Sequence, residues 1–240
     1  MRTEGTAAVV RARAVRWLGV VAWLAAAWLV TGCGGDATAP AVERNDPGTG
    51  TRTMLVRAEI EAKDEPAGFV TDFGVTLRDA QGAPISGAVV TVRNPNLGTV
   101  TLAEADPGDY VAQRFGFASG DYRLDVVRGA DEVRGVVVGG IAAHAIVVPA
   151  RNDTVPAGQP LVVRWTVPSE AAGADVQSRD YLAEGIPDTG SHTIPGSFLR
   201  ARPDERIRVW RFNRVEIAGD LFGSHLRLEV RNTVEPVVVQ

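Results

Sequence analysis

Past residue 53, no stretch of this chain carries the 3.6-residue apolar period of an amphipathic helix. Short apolar runs alternate instead with period two. Gly, Pro, Asn and Asp clusters break them every few residues. Phe73, Val75 and Leu77 alternate with Gly74, Thr76 and Arg78, the pattern of a half-buried strand, and Asp79-Ala80-Gln81-Gly82 then closes it as a turn. The chain is thereby confined to an all-β fold of many short strands.

Strands are expected at 55–62, 73–78, 89–92, 99–102, 110–112, 122–126 and 133–138. Residues 141–149 read as a link between domains, with a strand beginning at His144. Further strands are expected at 161–167, 176–181, 192–194, 206–212, 215–218 and 226–230, with the tail 234–240 as an edge strand. Leu161, Val163, Trp165 and Val167 fall on one face. The predicted architecture is two tandem β-sandwiches, residues 54–140 and 141–240.

Residues 75–92, VTLRDAQGAPISGAVVTV, resemble the opening of transthyretin-like, or carboxypeptidase-regulatory-like, domains. Gly108-Asp109-Tyr110 and Ser119 to Val126 resemble that family's second half. The resemblance covers about residues 54–140. It implies a seven-stranded Greek-key sandwich serving as a structural or adhesive module. The turn Ala157-Gly158-Gln159-Pro160 followed by a strand with inward Trp165 resembles immunoglobulin and fibronectin type III domains, giving an Ig-like sandwich without the cysteine pair of immunoglobulins.

The N-terminal region constrains location. Arg2, Arg11, Arg13 and Arg16 precede an apolar run of 14 residues, Trp17 to Val30. As a helix that run measures roughly 21 Å, short of the ~30 Å hydrocarbon core. It fits a signal h-region better than a spanning helix. Val30-Thr31-Gly32-Cys33 resembles the lipobox of bacterial lipoproteins, with Val where Leu is commoner. The resemblance implies a diacylglyceryl group on Cys33 and cleavage before it. The organisation expected is a signal peptide at 1–32, an acylated Cys33 with a flexible linker through 53, then the two sandwiches. The single cysteine of the chain cannot form an internal disulfide, and lipidation accounts for its presence. Gly34 stands where an aspartate retains some lipoproteins at the inner membrane, which favours the outer one.

Removing 1–32 leaves 21 basic and 28 acidic residues. That balance argues against nucleic acid as partner. Candidate sites are few. Asp188-Thr189-Gly190 copies the aspartic-protease triplet, but only once, and that chemistry needs two carboxylates; a polar turn is expected. His144, His192 and His225 lack the spacing of zinc ligands. Asp106-Pro107-Gly108-Asp109 and Asn45-Asp46-Pro47-Gly48 read as turns without the alternating carboxylates of a calcium loop, leaving a weak calcium site as the alternative. No cofactor is implied.

The richest stretch is 200–214, RARPDERIRVWRFNR. If Ile207 and Val209 face the core, Arg208, Trp210 and Phe212 lie opposite, with Arg214. Rings beside guanidinium groups stack sugars or hold anions; alternatively they cover a second apolar layer. The function expected is a non-enzymatic, lipid-anchored envelope protein for adhesion, scaffolding or accessory binding. Its partners would be the membrane, through the lipid, and an envelope polysaccharide or another envelope protein. The rivals are an envelope hydrolase and a structural spacer of a larger complex. Mass spectrometry of the native protein should find an acylated N-terminal Cys33, and Cys33→Ser should release the protein from membranes; an unprocessed, lipid-free chain from the cytosol contradicts this.

Overall fold

The computed structural model describes residues 44–240. The expected signal peptide, Cys33 and the first part of the linker lie outside the described residues. The strands are β1 (Thr49–Gly50), β2 (Leu55–Glu65), β3 (Gly68–Arg78), β4 (Val89–Asn94), β5 (Gly98–Asp106), β6 (Asp109–Phe115), β7 (Tyr122–Arg128) and β8 (Asp131–Val138). There follow β9 (Ile146–Val148), β10 (Thr154–Val155), β11 (Leu161–Trp165), β12 (Gly173–Gln177), β13 (Leu182–Ile186), β14 (Ser191–Ile194), β15 (Arg202–Glu216) and β16 (His225–Val239). The protein is all-β, built of packed sandwich layers.

One sheet runs β1-β8-β7-β4-β5-β6-β3-β2-β16-β15-β12-β13, with β10 added alongside β16. It folds over on itself at β5, whose first half pairs with β4 and whose second half pairs with β6. A separate three-stranded sheet, β14-β11-β9, covers the far end.

The alternation read from sequence places Phe73, Val75 and Leu77 in the first core with Ile60, Tyr110, Leu124 and Val136. Two tyrosine hydroxyls lock this sandwich. Tyr110 donates to the Ile85 carbonyl at 3.0 Å and accepts from the Ala88 amide at 2.9 Å. Tyr122 donates to the Ala118 carbonyl at 2.9 Å, and burial pushes its hydroxyl up to about 12. The β5–β6 turn needs Gly108: its φ is +76°, and a Cβ there would meet the Leu77 carbonyl oxygen at 2.6 Å. The second core holds Val163, Trp165, Val176, Ile194, Ile207, Val209 and Val237. Val167, expected inward, is exposed because β11 ends at Trp165.

Three differences from the sequence reading share one cause. Segments 206–212 and 215–218 form a single 15-residue strand, β15, ending at Glu216. Residues 226–230 and the tail likewise merge into β16, another 15 residues. β16 is no edge strand: it pairs antiparallel with β15 and parallel with β2, from His225↔Arg57 to Arg231↔Lys63. The division at 140/141 therefore does not separate two independent bodies. Val215, Ile217, Leu226, Leu228 and Val230 complete the first core, while Ile207, Val209, Val237 and Val239 build the second. The linker expected through residue 53 is docked from residue 46 onward. Asp46 exchanges backbone bonds with Val137 at 2.8 Å, and the Arg52 amide reaches the Gly219 carbonyl at 2.8 Å. Each backbone bond made this way offsets the entropy of fixing the segment.

A chain truncated after Gly140 should lack a cooperative thermal transition and amide dispersion, because β2 loses its β16 neighbour and the first core loses six buried apolar side chains, Ile141 among them; a folded fragment would contradict the shared-hairpin architecture.

Candidate functional site

The parity of β15 sets the site. Its inward side chains include Ile207 and Val209, both fully buried, so Arg208, Trp210, Phe212 and Arg214 project from the opposite face. There the outer faces of β13, β12, β15, β16 and β2 form an open trough of about 550 Å³. Arg208, Trp210 and Arg214 line it. Phe212 does not: the Arg227 guanidinium lies 3.9 Å from its ring centroid and covers it. Behind Phe212 the chain must be glycine, since a Cβ on Gly173 would sit 2.7 Å from the ring.

A ladder of ion pairs occupies the floor. Arg227 donates to Glu229 at 2.8 Å and to Asp175 at 2.5 Å. Glu61 receives the Trp210 indole N–H at 3.2 Å, Arg231 at 3.2 Å and Lys63 at 3.0 Å. Lys63 also binds Asp72 at 2.5 Å. Burial, with Glu59 beside it, pushes the Glu229 carboxyl up to about 8 against the opposing pull of Arg227. Glu229 thus holds its proton to higher pH than a free carboxylate does. Arg208 stands apart. Its contacts are a 3.4 Å bond to the Gln177 amide oxygen and the Trp210 ring 6.0 Å away. Its Nε is buried without a partner, and burial, then Arg206 and Arg231, lower its pKa from the ordinary arginine value.

The other candidates do not converge. Asp188 lies in the turn after β13, and its carboxylate is buried there: it accepts from the Trp165 indole at 2.9 Å and from Arg211 at 2.9 and 2.5 Å. Arg211 is wholly buried and also donates to the Ser169 and Ala142 carbonyls. Sequence reasoning missed it, although an Arg in the inward phase of β15 signals a buried counter-ion. His144 is buried against the Val209 carbonyl at 3.2 Å; burial, then Arg211, lowers it to about 4, so it is neutral. His192 bonds the Tyr181 hydroxyl at 2.8 Å, and His225 contacts the Gly223 carbonyl at 2.9 Å.

Asp109 is taken by Arg78 and Thr76, Asp46 caps Gly48, and Asn45 bridges the Gly139 amide and the Arg214 carbonyl. Among the described residues no group of three or more carboxylate, His or Cys side chains is arranged for a metal ion.

The Glu229 shift has a consequence for stability. Its folded pKa of about 8 lies above the ordinary 4.5, so the native state holds more protons than the unfolded chain between those values. Stability from this group is full below about 4.5 and is lost as pH rises through about 8. Glu229→Gln, which fixes the neutral form, should therefore lose less Tm than wild type between pH 5 and pH 8; parallel slopes would mean that Glu229 is ionised in the native state.

No protein-family model matches the chain, and no curated protein matches it. Solved structures similar to it include fibronectin(III)-like modules of Clostridium thermocellum CbhA, at 17% identity over 73% of this chain and 93% of that one, TM-score 0.26. The Yersinia pseudotuberculosis adhesin InvE overlaps at 17% identity over 84% of this chain and 61% of that one, TM-score 0.25. Bacteroides ovatus SGBP-B, of a mixed-linkage glucan utilization locus and in complex with a mixed-linkage heptasaccharide, overlaps at 10% identity over 83% and 64%, TM-score 0.24. Likeness at this level assigns no ligand to this chain.

Proposed function

We propose that the protein is a non-enzymatic binding module of the bacterial cell envelope, anchored through acylated Cys33 and holding an extended ligand across the trough. The observation that carries this reading is Trp210 beside Arg208 in an open trough five strands wide. An aromatic ring among planar hydrogen-bonding groups suits sugar rings or a partner's loop better than a small, enclosed substrate. The sorting position Gly34 supports the outer membrane, and the resemblance of residues 54–140 to transthyretin-like modules supports an accessory role.

The hydrolase reading has one observation in its favour. A Glu229 carboxyl whose pKa is raised by burial beside Glu59 brings together two carboxyl groups, as glycoside cleavage requires. Glu229 lines the trough but is only 7% exposed, and its carboxyl is bonded to Arg227, which leaves no free acid to protonate a glycosidic oxygen. Binding is the better account. Trp210→Ala with Arg208→Ala should abolish retention of the protein on isolated envelope material while leaving its circular dichroism unchanged; undiminished retention removes the trough from the function.

A further inference from the structure

We infer that the trough takes an acidic polysaccharide, with Arg208 as the anchor for its carboxylate groups and Trp210 as the adjoining sugar platform. The inference rests on the binding role proposed above and names the class of ligand.

The trough is lined by five acidic residues, Glu59, Glu61, Asp175, Glu184 and Glu229, which at first sight disfavours an anion. Three of them are already held in ion pairs. Asp175 is held by Arg227, and Glu61 by Lys63, Arg231 and the Trp210 indole. Glu229 is held by the same Arg227 at 2.8 Å. The two that remain sit away from Trp210. Glu59 is next to Arg227 in the register, and Glu184 is exposed on the edge strand β13.

The opposite end is basic. Arg208 has no carboxylate partner among the described residues, and neither does Arg206 or Arg151. Arg208 also lines a second groove of about 560 Å³, with Arg151, Arg231 and Thr233. The acids there are engaged as well: Asp64 with Asn232, Glu65 with Arg231 and Glu235 with Arg179. Arg208 is thus the residue shared by two adjoining grooves, half-buried and without a counter-ion. A guanidinium in that setting gains from an external carboxylate, which binds it as a charge-assisted pair.

Two features favour a sugar polymer over an acidic peptide. The trough crosses the face of paired strands, so a peptide cannot extend the sheet there. Around Trp210 the lining offers Gln177, Asp175 and Arg227, planar groups that pair with adjacent hydroxyls, and few apolar pockets for side chains.

The test uses the full chain in detergent at low salt, titrated calorimetrically with polygalacturonate, its fully methyl-esterified form, polyphosphate and polyglutamate. Polygalacturonate should bind, weakening as salt rises. Esterification and Arg208→Gln should each weaken binding at least tenfold, and Trp210→Ala should do the same, with unchanged Tm. If the esterified polymer binds equally and only Trp210→Ala matters, the anion anchor is wrong and the binding role stands. Equal or tighter binding of polyphosphate or polyglutamate overturns the sugar assignment. Failure of all four polymers on folded protein overturns the inference, and retention on envelope material then decides the broader reading separately.

Discussion

The parallel pairing of β2 with β16 is the contact on which everything else depends. It joins residues about 170 positions apart, from His225↔Arg57 to Arg231↔Lys63. A 15-residue strand extends roughly 50 Å at about 3.3 Å per residue. That is more than one small sandwich can cover, so β15 and β16 pass from one core into the other. The tip half of the hairpin faces the first core, with Leu226, Leu228 and Val215. The far half faces the second, with Ile207, Val209, Val237 and Val239. Two sandwiches are thereby welded along a common sheet instead of hinged on a linker.

Between the two cores the inner face of the hairpin turns polar. Arg211, Asn213 and Asn232 are buried there, and each satisfies the backbone of a connecting segment. Asn213 binds the Gly139 carbonyl and the Ala172 amide, both at 2.8 Å. Asn232 accepts from the Ile146 amide at 3.0 Å, and Arg211 donates to the Ala142 and Ser169 carbonyls. Connecting loops carry backbone groups that no ladder satisfies, and burying them unpaired costs about 1–3 kcal/mol each. The buried Arg211–Asp188 pair is itself expensive to desolvate. Its role is positional: it ties the turn after β13 and the indole of Trp165 to β15.

Strand parity was legible in the sequence because it is local. The inward phase of Ile207 and Val209, and hence the outward phase of Arg208 and Trp210, follows from alternation alone. Phe212 has the same parity, yet Arg227 from the neighbouring strand covers it, and cross-strand partners are not readable from one strand. Asn213-Arg214 and Arg231-Asn232-Thr233 look like interruptions in sequence, since runs of polar residues break the apolar alternation of a strand. In the fold they lie inside β15 and β16, where the polar seam and bulges absorb them. The parallel ladder with β2 has no local signature, so two consecutive domains were expected where two cores share a hairpin.

The location of the trough follows from that sharing. A sheet twists by roughly 20–25° from strand to strand, so five adjacent strands curve enough to enclose a concave surface. Within either sandwich alone the sheet would end: at β2 on one side, at β16 on the other. Only their junction sets Glu59 and Glu61 of β2 on the same floor as Trp210 of β15 and Asp175 of β12. The carboxylates that offset Arg227, Arg231 and Lys63 thus come from both sandwiches, and Arg208 is left over where the ladder runs out beyond Arg231. A residual positive charge beside an aromatic ring is therefore a product of how the sheets were joined, which is why neither half of the chain, read separately, discloses it.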